Sequence, residues 1–282
     1  MTKILHISSL APDIFEIIIK SPDIAKKAQA GHFVVLMVDE KGERIPLTIA
    51  DWDKQKGTIT LVVMVVGTTT AKLTRLTAGD SLYALVGPMG HPSIIKNYHI
   101  VIMVAGGVGT APIYPIAREL YKRGNKVVVI QGARSKNLLF WQDKLQSVSH
   151  DYIVTTDDGT CGQHGMVTQP LQEILVKDHQ KEIGCVYAIG PAIMMKFCSK
   201  ITKDFGTKTI VSLNSIMVDA TGMCGVCRVE VGGHTRFTCV DGPEFDGHLV
   251  DWDLLLDRQK IYLPEEKKSY THYIKGTKEH DP

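Results

Sequence analysis

The chain has 282 residues and a mass of 31.1 kDa, with 44% hydrophobic and 22% charged residues. That length accommodates roughly two or three domains, and the composition excludes disorder, collagen-like repeats and coiled coil. Thirty-two Lys and Arg stand against thirty Asp and Glu, a net charge of +2, so there is no broad electrostatic reason to bind nucleic acid or an anionic membrane.

The longest apolar runs, at 61–66 and 100–105, fall far short of the roughly eighteen residues that span a bilayer. The amino-terminal stretch is broken by Lys3, His6, Pro12, Asp13 and Glu16, which leaves no apolar signal core. A cytoplasmic protein is expected.

Residues 1–95 read as short Val-, Ile- and Leu-rich strands separated by turns, the pattern of an antiparallel β-barrel or sandwich. From 96 to 213 strand and helix alternate: HIVIMVA, a helix through APIYPIARELYKRG, KVVVIQ, a helix through NLLFWQDKLQSV, DYIVTT, a helix near VTQPLQEILVK, CVYAIG, and a helix through AIMMKFCSKITKDF leading to TKTIVSL. Repeated βα units of this length predict an open parallel sheet with ligands at the carboxyl ends of its strands. Residues 214–250 form a Gly- and Cys-rich third unit, in which RVEVGGHTRFTCV reads as a hairpin. Residues 251–282 add a short helix, VDWDLLLDRQ, and a polar tail without clear period, expected to lie on a partner.

The first chemical motif is Gly106-Gly107-Val108-Gly109-Thr110-Ala111-Pro112, directly after the strand IVIMVA and opening a helix. Glycines let a backbone approach a pyrophosphate, and the helix amino terminus offers N–H groups and a favourable dipole. A proline stands where the dinucleotide fingerprint has its last glycine, and a plain strand-to-helix turn is the alternative. Arg134 and Asp158, and Gly190-Pro191, end later strands of the same sheet and are candidate dinucleotide contacts. The residues leave NAD(H) and NADP(H) equally open.

In the β module Arg44, Pro46, Leu47 and Thr48, with Gly67, Thr68 and Thr69, supply a cation, hydroxyls and backbone donors of the kind a flavin diphosphate needs, and Gly87 and Gly90 bound a further turn. Hairpin turns account for these residues equally well.

Asp219, Cys224, Cys227 and Cys239 follow D-x4-C-x2-C-x11-C, the plant-type [2Fe–2S] spacing with its first Cys changed to Asp. Gly222 and Gly225 would let the loop wrap a cluster. A structural zinc on the three thiolates plus Asp219 or His234 is the rival. Cys161, Cys185 and Cys198, scattered through the sheet unit, read as inert buried thiols.

In this order the motifs GGVGTAP, RIPLT, GPMG and DATGMCGVCRV with FTCVDGPEFDGHLVDWD resemble the ferredoxin reductase superfamily, in its members with a carboxyl-terminal [2Fe–2S] domain. Within it the chain is similar to the small subunits of NADH-dependent reduced ferredoxin:NADP oxidoreductases, also known as sulfide dehydrogenase subunits. It is more distantly similar to dihydroorotate dehydrogenase electron-transfer subunits, where Cys is expected at the position of Asp219. The resemblance implies a multi-domain chain: an FAD-binding barrel, a central α/β NAD(P)-binding sheet and a [2Fe–2S] domain. It assigns the flavin to Arg44, Pro46, Leu47, Thr48, Gly67, Thr68 and Thr69 and the dinucleotide to 107–112. It further implies hydride exchange between nicotinamide and flavin, single-electron transfer through the cluster, and a larger flavoprotein iron–sulfur partner in a heterodimer, with electron bifurcation or polysulfide reduction as the assembly's activity. A zinc-stabilised nucleotide-binding regulator and a self-sufficient diaphorase are the competing readings.

Overall fold

The computed structural model describes residues 2–177 and 183–278. In the first unit β1 (Thr2–Ala11), β2 (Ile14–Lys20), β3 (Phe33–Met37), β4 (Ile45–Asp53), β5 (Thr58–Met64), β6 (Ser81–Leu82) and β7 (Ala84–Met89) form one antiparallel sheet in the order β6-β1-β2-β5-β4-β3-β7. The edge strands β6 and β7 are separated by Tyr83 alone, which brings the two edges together and gives a near-closed barrel. Alternation sets its inside: Ile17 and Ile19 on β2, Val34 and Leu36 on β3, and Ile59, Leu61 and Val63 on β5 are buried in one cluster, the every-second-residue placement that a pleated strand imposes. Two short helices, α1 (Pro22–Lys27) and α2 (Thr68–Leu73), add Ile24, Ala25 and Leu73 to the same cluster.

The second unit is a sheet of β8 (Ile100–Gly106), β9 (Lys126–Ala133), β10 (Asp151–Thr156), β11 (Gln163–His164), β12 (Ile183–Ile189) and β13 (Thr209–Ser212), all parallel, in the order β11-β10-β9-β8-β12-β13. Its helices are α3 (Thr110–Lys122), α4 (Gln142–Gln146), α5 (Thr168–Lys177) and α6 (Ala192–Asp204). On β8, Val101 and Met103 pack with Ile113, Ile116 and Leu120 of α3, while Ile102 and Val104 share the opposite core with α5 and α6. The sheet is thus covered on both faces, which explains why its strands read as nearly continuous apolar runs. The chain moves outward from β8 through β11, then returns to the other side of β8 as β12. The switch point therefore lies between the carboxyl ends of β8 and β12, where such sheets bind ligands.

One predicted helix is much shorter than expected. Of NLLFWQDKLQSV only Gln142–Gln146 is α-helical; a 3-10 turn covers Lys136–Leu138 and Trp141 has φ +54°. The break places Phe140 in the seam with Ala11, Ile14, Ala50 and Val62 of the barrel, and burial there overrides helix propensity.

The third unit contains the expected hairpin, β14 (Arg228–Val231) and β15 (His234–Phe237), then α7 (Thr238–Asp241). Its next strand, β16 (Glu244–Asp246), joins the nucleotide sheet antiparallel to β13. After α8 (Trp252–Arg258), the polar tail is a helix, α9 (Leu263–Lys278). It lies on α2 of the barrel: the Thr68 and Ser269 hydroxyls are 2.9 Å apart, and Arg75 donates to Tyr273 Oη at 3.3 Å. No strong apolar stripe announces α9, because its contacts are polar.

Candidate functional site

Three groups of predicted residues meet around the barrel strands β3 and β4. On β4, Pro46, Leu47 and Thr48 are half-buried and pair with Val35, Val34 and Phe33 of β3; Arg44, just before the strand, is exposed. The turn at Gly67 is built by Thr70, whose hydroxyl accepts from the Val66 and Gly67 N–H groups at 3.0 and 3.1 Å and donates to the Gly67 carbonyl. Thr69 donates to Glu43 Oε2 at 2.8 Å, which brings this turn beside the loop carrying Arg44. The hydroxyls of Thr68 and Thr69 are thus engaged by Ser269 and Glu43. What the turn offers an anion is its backbone at the start of α2, with the Glu43 carboxylate nearby as a counteracting charge.

The structure gives Gly87 and Gly90 packing reasons. A Cβ on Gly87 would stand 2.8 Å from Val34 Cγ1. Gly90, at φ +76°, would place one 2.8 Å from Phe33 and 3.0 Å from the Gly242 carbonyl. The His91 N–H donates to that same carbonyl at 2.7 Å, so this turn holds the segment that follows Cys239.

The glycine motif at the end of β8 divides by function. Gly109 lies under the end of β12, and a Cβ there would be 2.1 Å from the Ile189 carbonyl oxygen. On Gly106 it would meet Met194 Sδ at 2.4 Å, and on Gly190 it would meet Gly106 itself at 3.0 Å. These three let two strand ends and α6 close on one another. Gly107 differs: it has φ +53° and nothing within 4 Å of its would-be Cβ. Its backbone faces open space at the switch point. Thr110 is buried, with its hydroxyl accepting from Gln131 Nε2 at 3.1 Å, so that side chain serves the core; Pro112 is half-buried.

Arg134 and Asp158 end neighbouring strands, and the Asp158 N–H donates to the Arg134 carbonyl at 3.2 Å. Asp158 accepts from the Thr160 hydroxyl at 2.6 Å and its N–H at 3.0 Å, which hold the carboxyl below its usual range. Arg134 is exposed, and Pro191 opens α6 at the same sheet edge.

In the third unit Cys227 and Cys239 are buried with their sulfurs 3.2 Å apart. Cys224 is exposed on the same loop, and backbone N–H groups of Val226 and Asp219 hold its thiol below the ordinary range. The Gly222 N–H points at Cys239, whose thiol burial nonetheless pushes up to about 12. Asp219 accepts from the Thr221 hydroxyl. Among the described residues no three His, Cys, Asp or Glu side chains are gathered tightly enough to hold a metal as they stand. Gly222 and Gly225, at φ +83° and +68°, give the loop its curvature. Cys227 and Cys239 share an apolar cluster with Phe33 and Val35 of β3. In the β3–β4 register those two residues face Thr48 and Pro46. Cys185 and Cys198 are buried in the cores of the sheet, with thiols pushed up to about 12 by burial, while Cys161 is half-buried at a strand-end loop.

Sequence reasoning missed several supporting residues. Arg258 of α8 donates to the Val226 carbonyl at 3.0 Å and Arg228 to the Gly225 carbonyl at 3.2 Å, so the carbonyls of both residues between Cys224 and Cys227 are held by guanidinium groups. Glu244 is half-buried against Ser93. Nothing in their local sequence separates these residues from ordinary surface charges.

Residues 103–200 match the oxidoreductase NAD-binding domain, and 214–251 match the iron–sulfur cluster binding domain of dihydroorotate dehydrogenase B. The chain is 46% identical to a dihydroorotate dehydrogenase B (NAD(+)) electron transfer subunit homolog of Thermotoga maritima, over 98% of this chain and 96% of that one. It is 30% identical to the dihydroorotate dehydrogenase B (NAD(+)) electron transfer subunit of Streptococcus pneumoniae serotype 4, over 86% and 97%. A solved structure of the NADH-dependent reduced ferredoxin-NADP oxidoreductase, described for flavin-based electron bifurcation, superposes with a TM-score of 0.91 at 45% identity, covering 97% of this chain and 98% of its own. Phthalate dioxygenase reductase, at 19% identity and a TM-score of 0.60, shares the fold.

Proposed function

The chain belongs to the family of dihydroorotate dehydrogenase B electron-transfer subunits and their homologues, and on that premise we propose that it exchanges hydride between a nicotinamide dinucleotide and FAD and passes single electrons through a [2Fe–2S] cluster to a larger flavoprotein iron–sulfur partner. It is an oxidoreductase subunit with an FAD-type barrel, an NAD-binding sheet and an iron–sulfur domain. One observation carries the reading: the Cys227–Cys239 pair packs with Phe33 and Val35, whose register partners on β4 are Thr48 and Pro46. Neighbouring strands lie about 4.8 Å apart, so the flavin-type strand and the thiol pair are separated by one strand of apolar side chains.

The residues fit the groups the family implies. Two facing thiols, a third on the same loop, a carboxylate and amide donors aimed at sulfur are the donor chemistry of a 2Fe cluster, and Asp219, Cys224, Cys227 and Cys239 would hold it. The Gly107 backbone, with Arg134, Asp158, Gly190 and Pro191 around the switch point, would hold the dinucleotide. Arg44, Pro46, Leu47 and Thr48 with the Gly67, Thr68 and Thr69 backbone would hold the flavin. Bound flavin supplies the conversion between two-electron and one-electron chemistry. The chain's own part is positioning and exclusion of water: Ile189 and Gly190 close the crevice floor, and Phe33 and Val35 keep water from the space between β4 and the sulfurs.

Membership among electron-transfer subunits implies a partner subunit. Reduced ferredoxin:NADP chemistry by bifurcation is the form favoured here, because the homologue with that activity covers 97% of this chain at a TM-score of 0.91. Among the described residues no helix is long and apolar enough to cross a membrane.

The test is anaerobic purification of the tagged chain with its native partner, followed by flavin, iron, sulfide and zinc analysis. Assays then supply NADH with reduced ferredoxin and NADP, or dihydroorotate with NAD. Stoichiometric FAD and iron with NADP reduction that requires NADH and reduced ferredoxin together supports the bifurcating form; dihydroorotate oxidation would move the chain to the pyrimidine branch. A colourless zinc protein would end the electron-transfer reading.

A further inference from the structure

The barrel and the nucleotide sheet meet along a seam whose centre is Arg118. This residue is on α3, the helix opening at the glycine motif, yet its guanidinium reaches the barrel: Nη1 donates to Asp51 Oδ1 at 2.5 Å, and the group lies 4.7 Å from the Trp52 ring centroid. Asp51 and Trp52 end β4, the strand that begins with Ile45, Pro46, Leu47 and Thr48. The Trp52 N–H donates to the same Asp51 oxygen at 2.9 Å, so the carboxylate is oriented by its own strand before it meets the arginine. On α3 the guanidinium is steadied by Glu119, to which Nε donates at 3.0 Å, and lies 5.5 Å from the Tyr114 ring centroid. The Arg118 side chain is only 16% exposed and Asp51 25%. Burial works against its charge, but Asp51 and Glu119 more than restore it.

We propose that Arg118 is a positioning residue that locks the flavin-type strand β4 to the dinucleotide-type helix α3 and thereby sets the distance between nicotinamide and flavin. The inference rests on the hydride-exchange reading. A planar guanidinium can hydrogen-bond edge-on to Asp51 and stack face-on over Trp52 at once; an ammonium cannot. One side chain therefore fixes both the separation and the tilt of two elements. Reacting atoms must sit within about 3–3.5 Å for efficient transfer, and a displacement of about 1 Å costs up to roughly 100-fold in rate.

The experiment uses the full holoprotein as purified, in wild type, Arg118→Met, Arg118→Lys and Asp51→Asn forms. Flavin reduction by NADH, or by NADPH if that is the faster donor, is followed by stopped flow, together with FAD content and amide hydrogen exchange at 49–53 and 110–118 before any reductant is added. In Arg118→Met the limiting reduction rate should fall roughly 10- to 100-fold, with FAD content and half-saturating nucleotide concentration nearly unchanged, and both peptides should exchange faster. Arg118→Lys should lie between wild type and Arg118→Met, and Asp51→Asn should share the defect. A limiting rate at the wild-type level, or one that falls only in proportion to lost FAD, overturns the proposal. If neither nucleotide reduces the wild-type flavin, the hydride reading itself fails and the rate role of Arg118 fails with it. Unchanged exchange in Arg118→Met would show that no lock exists.

Discussion

The Ser93 hydroxyl donates to Glu244 Oε1 at 2.5 Å, joining the segment that leaves the barrel to the strand that follows the cysteine loop. Gly31 lies against the pair, and Tyr98, just before β8, with Tyr187 and Cys185 of β12 stand near the carboxyl, so all three units meet at one half-buried acid. Burial raises the Glu244 carboxyl from 4.5 to about 7. A raised carboxyl binds its proton more tightly in the folded chain, so its contribution is full below the unfolded value and is lost as pH rises through about 7. Unfolding free energy of the wild type should therefore fall by up to ~3 kcal/mol between acid and neutral pH relative to Glu244→Gln, which keeps an acceptor for Ser93. Urea titrations of both proteins across that range check this. Parallel pH profiles would refute it.

The glycines of the β8 turn make opposite predictions. Gly109→Ala drives a methyl into the Ile189 carbonyl and should destabilise the sheet by several kcal/mol, in the range of overpacked cores. Gly107→Ala meets no atom but must hold φ +53°, at a cost of roughly 1–2 kcal/mol. Its methyl would occupy the space facing the dinucleotide, so nucleotide affinity should drop while the fold survives. Thermal unfolding and nucleotide titration separate the two. Equal effects of both substitutions on stability would contradict this division of roles.

Arg258 should tune the cluster from outside it. Its guanidinium holds the Val226 carbonyl, and the N–H of that residue donates to Cys224. Arg258→Met removes a positive charge and a hydrogen bond worth about 1–3 kcal/mol, which disfavours adding an electron nearby. The cluster potential should become more negative, whereas Arg258→Lys should retain most of the parent value. Redox titration followed by electron paramagnetic resonance measures it; coincident curves for all three proteins would exclude the role.

Thiol replacement should distinguish the loop from the cores. Cys227→Ser should abolish iron and sulfide retention because it removes half of the buried pair. Cys185→Ala, deep in the nucleotide sheet, should keep both and lose about 1 kcal/mol of stability, as for a small core truncation. Metal and sulfide analysis of both variants provides the check. Iron lost equally in both would mean that general stability holds the metal.

The order of units was legible because each has a strong local pattern. Ile17, Ile19, Ile59 and Leu61 alternate, Val101 to Ala105 run apolar through a doubly covered strand, and Gly232-Gly233 turns a hairpin. Within the glycine motif, sequence could place a phosphate-type turn but could not tell Gly107, facing space, from Gly109, facing Ile189, since that depends on a strand eighty residues away. Thr110 stands in the motif as a candidate dinucleotide contact, but its hydroxyl is taken up by Gln131 in the core, a partner twenty-one residues away. The helix α9 escaped notice because Ser269 and Tyr273 hold it through polar contacts with Thr68 and Arg75. Arg118, Glu244 and Arg258 escaped because their partners are distant in the chain, and single charges carry no periodic signal.

The most direct test of the account is an anaerobic titration of the purified holoprotein with NADH and NADPH, with visible spectra and electron paramagnetic resonance recorded at each addition. One nucleotide should bleach the flavin, and the reduced [2Fe–2S] signal should then rise in the same chain. Nucleotide that reduces the flavin while the cluster stays oxidised at potentials well below its own midpoint would break the proposed route from β4 through Phe33 and Val35 to Cys227 and Cys239.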